Sequence, residues 1–124
     1  MRTRSWSQDR EPDTGSNRVE VIPGKGALRI ALVGDVDYGA RHKLDDAYLA
    51  VIEQPPGPVV ADLSHTEFLG SIGLGFLVQV HKWASKRGYG LTIESPPRRV
   101  RRALSLTRLD QVLHIDDPTR SPAR

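Results

Sequence analysis

Between residues 18 and 115 the apolar positions change their spacing several times, and each change marks a predicted element. "RVEVI" (18–22) alternates and stops at "PGKG" (23–26), a turn with one proline and two glycines. "ALRIALV" (27–33) resumes an extended pattern, so the two runs are expected to form a hairpin. After the loop "GDVDYGA", Leu44, Ala47, Tyr48 and Val51 recur at helical spacing, with Arg41, Lys43, Asp45 and Asp46 expected outside. "QPPGP" (54–58) closes that helix, because proline lacks the amide hydrogen a helix interior needs.

"VVADL" (59–63) is a β-branched run of the kind that a sheet buries on both faces. From Ser71 to about Lys86 the pattern is apolar nearly all round, which predicts a helix largely buried against that sheet. Gly73 and Gly75 each lower helix propensity by about 1 kcal/mol against alanine. Close approach of the first turn to a neighbouring backbone is the expected return. "GLTIE" (90–94) reads as a strand. "SPPRRVRRALSLT" opens a helix with an inward stripe of Val100, Ala103, Leu104 and Thr107, and "QVLHI" (111–115) ends the pattern as a strand. The order ββαβαβαβ predicts one α/β domain over 18–115, a mixed sheet of about five strands with helices packed on it by right-handed crossovers. Residues 1–17 and 116–124 lack an apolar period and are expected to be a disordered arm and a flexible tail.

Composition narrows the function classes. There is no cysteine, so disulfides and thiolate metal sites are excluded. "MRTRSWSQDREPD" has no apolar core and does not read as a secretory signal. The longest strongly apolar stretch, 68–80, is short of the roughly 18–20 residues of a membrane span, so a cytoplasmic protein without membrane contact is expected. The net charge of +3 is concentrated: residues 98–108 hold five arginines and no acid. Arg98, Arg99, Arg101 and Arg102 could serve nucleic-acid binding. Few aromatics accompany them to stack bases, and a solvated helix face is the simpler expectation.

The candidate chemistry centres on Ser71 in "FLGSIGLGFL". A hydrolase elbow needs G-x-S-x-G, and G-S-I-G fails on its N-terminal side. His81 lies ten residues along the predicted helix, out of reach as a base. "GSIGLG" matches neither the Walker A pattern nor the dinucleotide fingerprint. His42, His65, His81 and His114 show no metal-ligand spacing. Asp35 and Asp37 fit turn residues or partner contacts better than an acid–base pair. Neither an enzyme nor a cofactor is expected. Ser71 reads as a helix N-cap, worth about 1 kcal/mol. A hydroxyl at a helix start is also exposed, and a phosphate placed there meets free amides and the positive end of the helix dipole.

Three separated segments resemble one known family. "VVADLSHTEFLGSIGLGFLVQVHKWASKRG" (59–88) is similar to the signature region of STAS domains, in particular bacterial anti-anti-sigma factors, also called anti-sigma factor antagonists. "LVGDVD" (32–37) and "SPPRRVRRALSLTRLDQVLHI" (95–115) resemble their acidic loop and their last helix and strand. The resemblance implies a STAS fold and a module that binds an anti-sigma factor, a serine kinase of the histidine-kinase-like ATPase fold, and thereby releases a sigma factor. It implies phosphorylation at Ser71, removed by a serine phosphatase, and partner contacts through Asp35, Asp37, Gly70, Ser71, Ile72, Gly73 and Leu74. The chain departs from the family pattern at Gly70, where the family has aspartate, at Ile72, where it has serine or threonine, and at Arg108, where it has glycine. The first two departures keep a constitutive STAS module open as the alternative, either a scaffold or an accessory subunit of a lipid-transport assembly.

Overall fold

The alternation at the start of the domain becomes β1 (Arg18–Ile22) and β2 (Leu28–Val36), an antiparallel hairpin in which Arg18 faces Val33 and Ile22 faces Arg29. In the computed structural model, which describes residues 17–116, β2 is the longest strand. The arm and the tail expected at the ends otherwise lie outside the described residues. β2 buries Leu28, Ile30, Leu32, Gly34 and Val36 on one face and turns Arg29, Ala31, Val33 and Asp35 to the other, as a period of two requires. β3 (Val59–Asp62) runs parallel to its first half, and β4 (Thr66–Leu69) runs parallel to its end. β5 (Leu91–Glu94) lies beside β3, and β6 (His114–Asp116) beside β5. The result is a mixed sheet of six strands in the order β1-β2-β3-β5-β6, with β4 attached to β2.

β4 is the strand that the sequence pattern conceals. Its burial reads inside, outside, outside, inside, so Thr66 and Leu69 do not show the alternation of a half-buried strand. The buried Thr66 hydroxyl ties it down by donating to the Leu32 carbonyl at 2.6 Å. The register with β2 slips between Gly34 and Asp35, which marks a local bulge.

Among the described residues there are three α-helices: α1 (Arg41–Ile52), α2 (Ser71–Ser85) and α3 (Arg98–Leu106). α1 buries Leu44, Ala47 and Val51, with Tyr48 half-buried, as its spacing predicts. Lys43, expected outside, is half-buried instead, and its ammonium donates to the Asn17 carbonyl at 2.8 Å. Asn17 is itself buried. α2 buries Phe76, Leu77, Val80, Trp83 and Ala84 and leaves Gly75, Gln79 and Lys82 to solvent. Fully buried Ile30, Leu32, Leu63, Leu77, Leu91, Ile93 and Leu104 form the centre of the core, each worth roughly 1.5–3 kcal/mol by burial.

The C-terminal part departs most from the expected pattern. α3 buries Val100 and Leu104, but Thr107 is exposed and bends its hydroxyl back to the Ala103 carbonyl at 2.9 Å. A single 3-10 turn, Leu109–Gln111, follows, so the last strand starts at His114 and not at Gln111. The cause is Arg108, which adopts φ 63, ψ 16 and turns the chain. That region suits glycine and strains an L-residue by roughly 1–2 kcal/mol.

Two stability predictions arise here. Arg108→Gly relieves the left-handed strain but raises the entropy of the unfolded chain, so a net gain of up to about 1 kcal/mol is expected in urea denaturation; a loss would contradict the assigned backbone. At Asp62, burial pushes the carboxyl up, but hydrogen bonds from the Ser64 amide and hydroxyl and the charges of Arg29 and His65 outweigh it, leaving it below its ordinary value. A lowered folded value stabilises above the unfolded value and is lost as pH falls through the folded one. Between about pH 5 and pH 3 the wild type should therefore lose more stability than Asp62→Asn; parallel curves would refute it.

Candidate functional site

β2 and β4 end side by side, Val36 paired with Leu69, and the chain leaves each strand into a helix. From β2 it passes through Asp37 and a 3-10 turn, Tyr38–Ala40, into α1. From β4 it passes through Gly70 alone into α2. Two helix starts and two strand ends thus meet at one corner of the domain.

Gly70 occupies the N-cap position at φ −87, ψ −172, and its carbonyl accepts the Leu74 amide at 2.9 Å. Its own amide donates to the Val36 carbonyl at 3.0 Å. Ser71 is therefore the first helical residue and not the cap that its sequence position suggests. The extended backbone at residue 70 already ends the strand, which puts Ser71 one step inside the helix. Its side chain is exposed and makes no hydrogen bond among the described residues. A hydroxyl with no base bound to it has no internal route to becoming a nucleophile.

Asp37 stands against this turn. A Cβ built on Gly70 collides with the Asp37 carboxylate, so that carboxylate fills the space a side chain at residue 70 would take. It lies beside the positive end of α2, where a negative charge is favoured. Asp35 is exposed on the strand just before, and its neighbour on β4 is Phe68. Phe68 is 46% and Tyr38 69% exposed, so two aromatics flank the acids. Sequence reading missed both. Recognising β4 would have placed Phe68 next to Asp35.

The remaining candidates divide by depth. Gly73 is buried, and a Cβ there would stand 2.8 Å from the Val36 carbonyl oxygen. Gly75 has open space where its Cβ would go, so the close approach expected of both glycines belongs to Gly73 alone. Ile72 and Leu74 are half-buried and pack on the core. Ile72 also lines, with Tyr48 and Leu49, a groove of about 480 Å³ between α1 and α2 that reaches Ser71. His81 is engaged elsewhere, its Nδ1 accepting the Leu91 amide at 3.4 Å and its Nε2 lying 3.2 Å from the Ser85 hydroxyl. No group of three or more His, Asp or Glu among the described residues could hold a metal ion. No helix among them is long and apolar enough to cross a membrane.

The Asp37–Gly70 contact predicts a coupled pair. Gly70→Asp should destabilise the domain by about 1–3 kcal/mol, through collision and like-charge repulsion. Asp37→Ala in the same chain should recover part of that loss, a coupling of roughly 0.5–3 kcal/mol in a double-mutant cycle. Strictly additive effects would show that the carboxylate is not the obstacle.

Comparison with known proteins identifies the family of this fold. The family model "Mlab, STAS domain" matches residues 24–115. The solved structure of an anti-sigma factor antagonist from Mycobacterium paratuberculosis is 32% identical, with 89% of this chain and 91% of that one covered and a TM-score of 0.72. The anti-sigma factor antagonist SpoIIAA in its unphosphorylated form is 15% identical over 82% and 88% of the two chains, with a TM-score of 0.66. An anti-sigma-factor antagonist (STAS) domain protein from Planctomyces limnophilus is 18% identical over 80% and 89%, with a TM-score of 0.69. These last two share the fold. The chain belongs to the STAS domain family, and the 32%-identical Mycobacterium paratuberculosis protein is an anti-sigma factor antagonist.

Proposed function

We propose that this protein is an anti-sigma factor antagonist switched at Ser71. In this reading it docks on an anti-sigma factor, a serine kinase of the histidine-kinase-like ATPase fold, and so frees a sigma factor. The kinase phosphorylates Ser71 and ends the contact, and a serine phosphatase restores it. The chain itself supplies no catalysis. The observation that carries the reading is the exposed, unpartnered Ser71 hydroxyl on the first turn of α2, beside the Asp37 carboxylate. The similarity to the Mycobacterium paratuberculosis antagonist supports the partner class.

The docking surface in this proposal comprises Asp35, Asp37, Gly70, Ser71 and Ile72, with Gly73 and Leu74 setting the helix on which they stand. Phe68 and Tyr38 add apolar area that a partner can bury. A phosphate on Ser71 adds about −1.5 to −2 charges next to two carboxylates. The domain tolerates it, because the new charge sits at a helix N-terminus. A partner seated on the corner does not, because it meets bulk and repulsion together.

Incubation with the anti-sigma kinase and ATP should place one phosphate on Ser71, located by mass spectrometry, and Ser71→Ala should remain unmodified. Ser71→Asp should weaken partner binding by at least about tenfold, or 1.4 kcal/mol. Phosphate on another residue would remove the switch. Undiminished binding by Ser71→Asp would instead assign the chain as a constitutive STAS module, the role of a scaffold or an accessory subunit in a lipid-transport assembly.

A further inference from the structure

A second surface lies on α3 and carries the opposite charge. A groove of about 1380 Å³ opens between α3 and the upper part of β1, β2 and β4. Arg98, Arg99, Arg101 and Arg102 line it from the helix, and Arg18 lines it from β1. Arg98, Arg101 and Arg102 share one helix face by their spacing, and buried Val100 and Leu104 fix that helix to the core. The charges are thus held on rigid elements. Only Glu67 and Asp110 oppose them in the lining.

Two arginines elsewhere in the fold have partners, whereas Arg41 and Arg108 make no ion pair among the described residues. Arg29 pairs with Glu94, and Arg87 donates to the Trp83 carbonyl at 2.7 Å while lying over the Trp83 ring. In the groove, Arg18 pairs with Glu20 at 3.1 Å, but Arg98, Arg99 and Arg102 make no ion pair among the described residues. Like charges a turn apart on one helix repel. An anion in the groove would relieve that repulsion, and guanidinium forks match carboxylates in bidentate fashion.

Among the described residues no Phe, Tyr or Trp lines the groove, and His65 alone offers a ring, which is a poor platform for stacking successive bases. Its floor includes Val33 and Pro97, which offer apolar side chains a place to pack. Its lining shares no residue with the corner that carries Ser71, so the two surfaces are distinct. We propose that this groove is a second docking site, for an acidic polypeptide segment whose carboxylates are held by Arg98 and Arg102 with Arg18 opposite. The site does not depend on phosphorylation of Ser71.

The test measures fluorescence anisotropy of a labelled Glu-Glu-Leu repeat peptide of about twelve residues titrated with the full chain. The peptide should bind, and Arg98→Glu with Arg102→Glu should weaken it by at least about tenfold. Arg98→Ala with Arg102→Ala, confirmed as folded by circular dichroism, should weaken it in the same direction. Lys82→Glu with Lys86→Glu makes the same charge change on α2 and should alter affinity by less than about twofold. Ser71→Asp should leave it unchanged, which separates failure of this site from failure of the Ser71 switch. Absence of binding, or equal losses from the lysine and arginine pairs, would overturn the proposal. So would tighter binding of oligo-dT, oligo-U or a short duplex of matched charge, which would assign the groove to nucleic acid.

Discussion

The carbonyl oxygen of Val36 organises the corner on which the functional reading depends. It accepts the Gly70 amide at 3.0 Å and at the same time leaves no room for a Cβ on Gly73. The first turn of α2 consequently lies flush on the end of β2. That approach sets β4 in register with β2, brings Gly70 under the Asp37 carboxylate and leaves Ser71 facing solvent. A side chain at residue 73 would lift the helix and disconnect all three. The low helix propensity of glycine is accepted here for a contact that only glycine permits.

Much of this was legible in the sequence. The hairpin, the helices at 41–52 and 71–85 and the strands at 59–62 and 91–94 follow from periodicity, because each buries one regular face or a continuous apolar run. What stayed hidden depended on tertiary contacts. β4 has too few residues and too irregular a burial to show a period, and its strand character comes from pairing with β2 and from the Thr66 anchor. Thr107 fits the inward stripe of α3 by spacing, yet the helix ends at Leu106. The last strand shifted because Arg108 takes a conformation that its residue type does not advertise.

The site shows the same division. Ser71 stood out as a lone hydroxyl, and its position one residue inside the helix, not at the cap, could be read only from the backbone of Gly70. The relation between Asp37 and Gly70 links residues far apart in the chain. The Asp37 carboxylate, just past the end of the neighbouring strand, occupies the space that a side chain on Gly70 would take. Phe68 and Tyr38 extend the same corner with apolar area, and the arginines of α3 line a separate basic groove.

The proposed switch requires the partner to seat on the corner made by the ends of β2 and β4. Amide chemical-shift mapping of the isotopically labelled protein, titrated with the anti-sigma factor, tests it most directly. The largest changes are expected at residues 35–38 and 68–75, with the outer strands β1 and β6 little affected. Changes centred on β6 and the chain end beside it, with Ser71 and its neighbours unmoved, would contradict it.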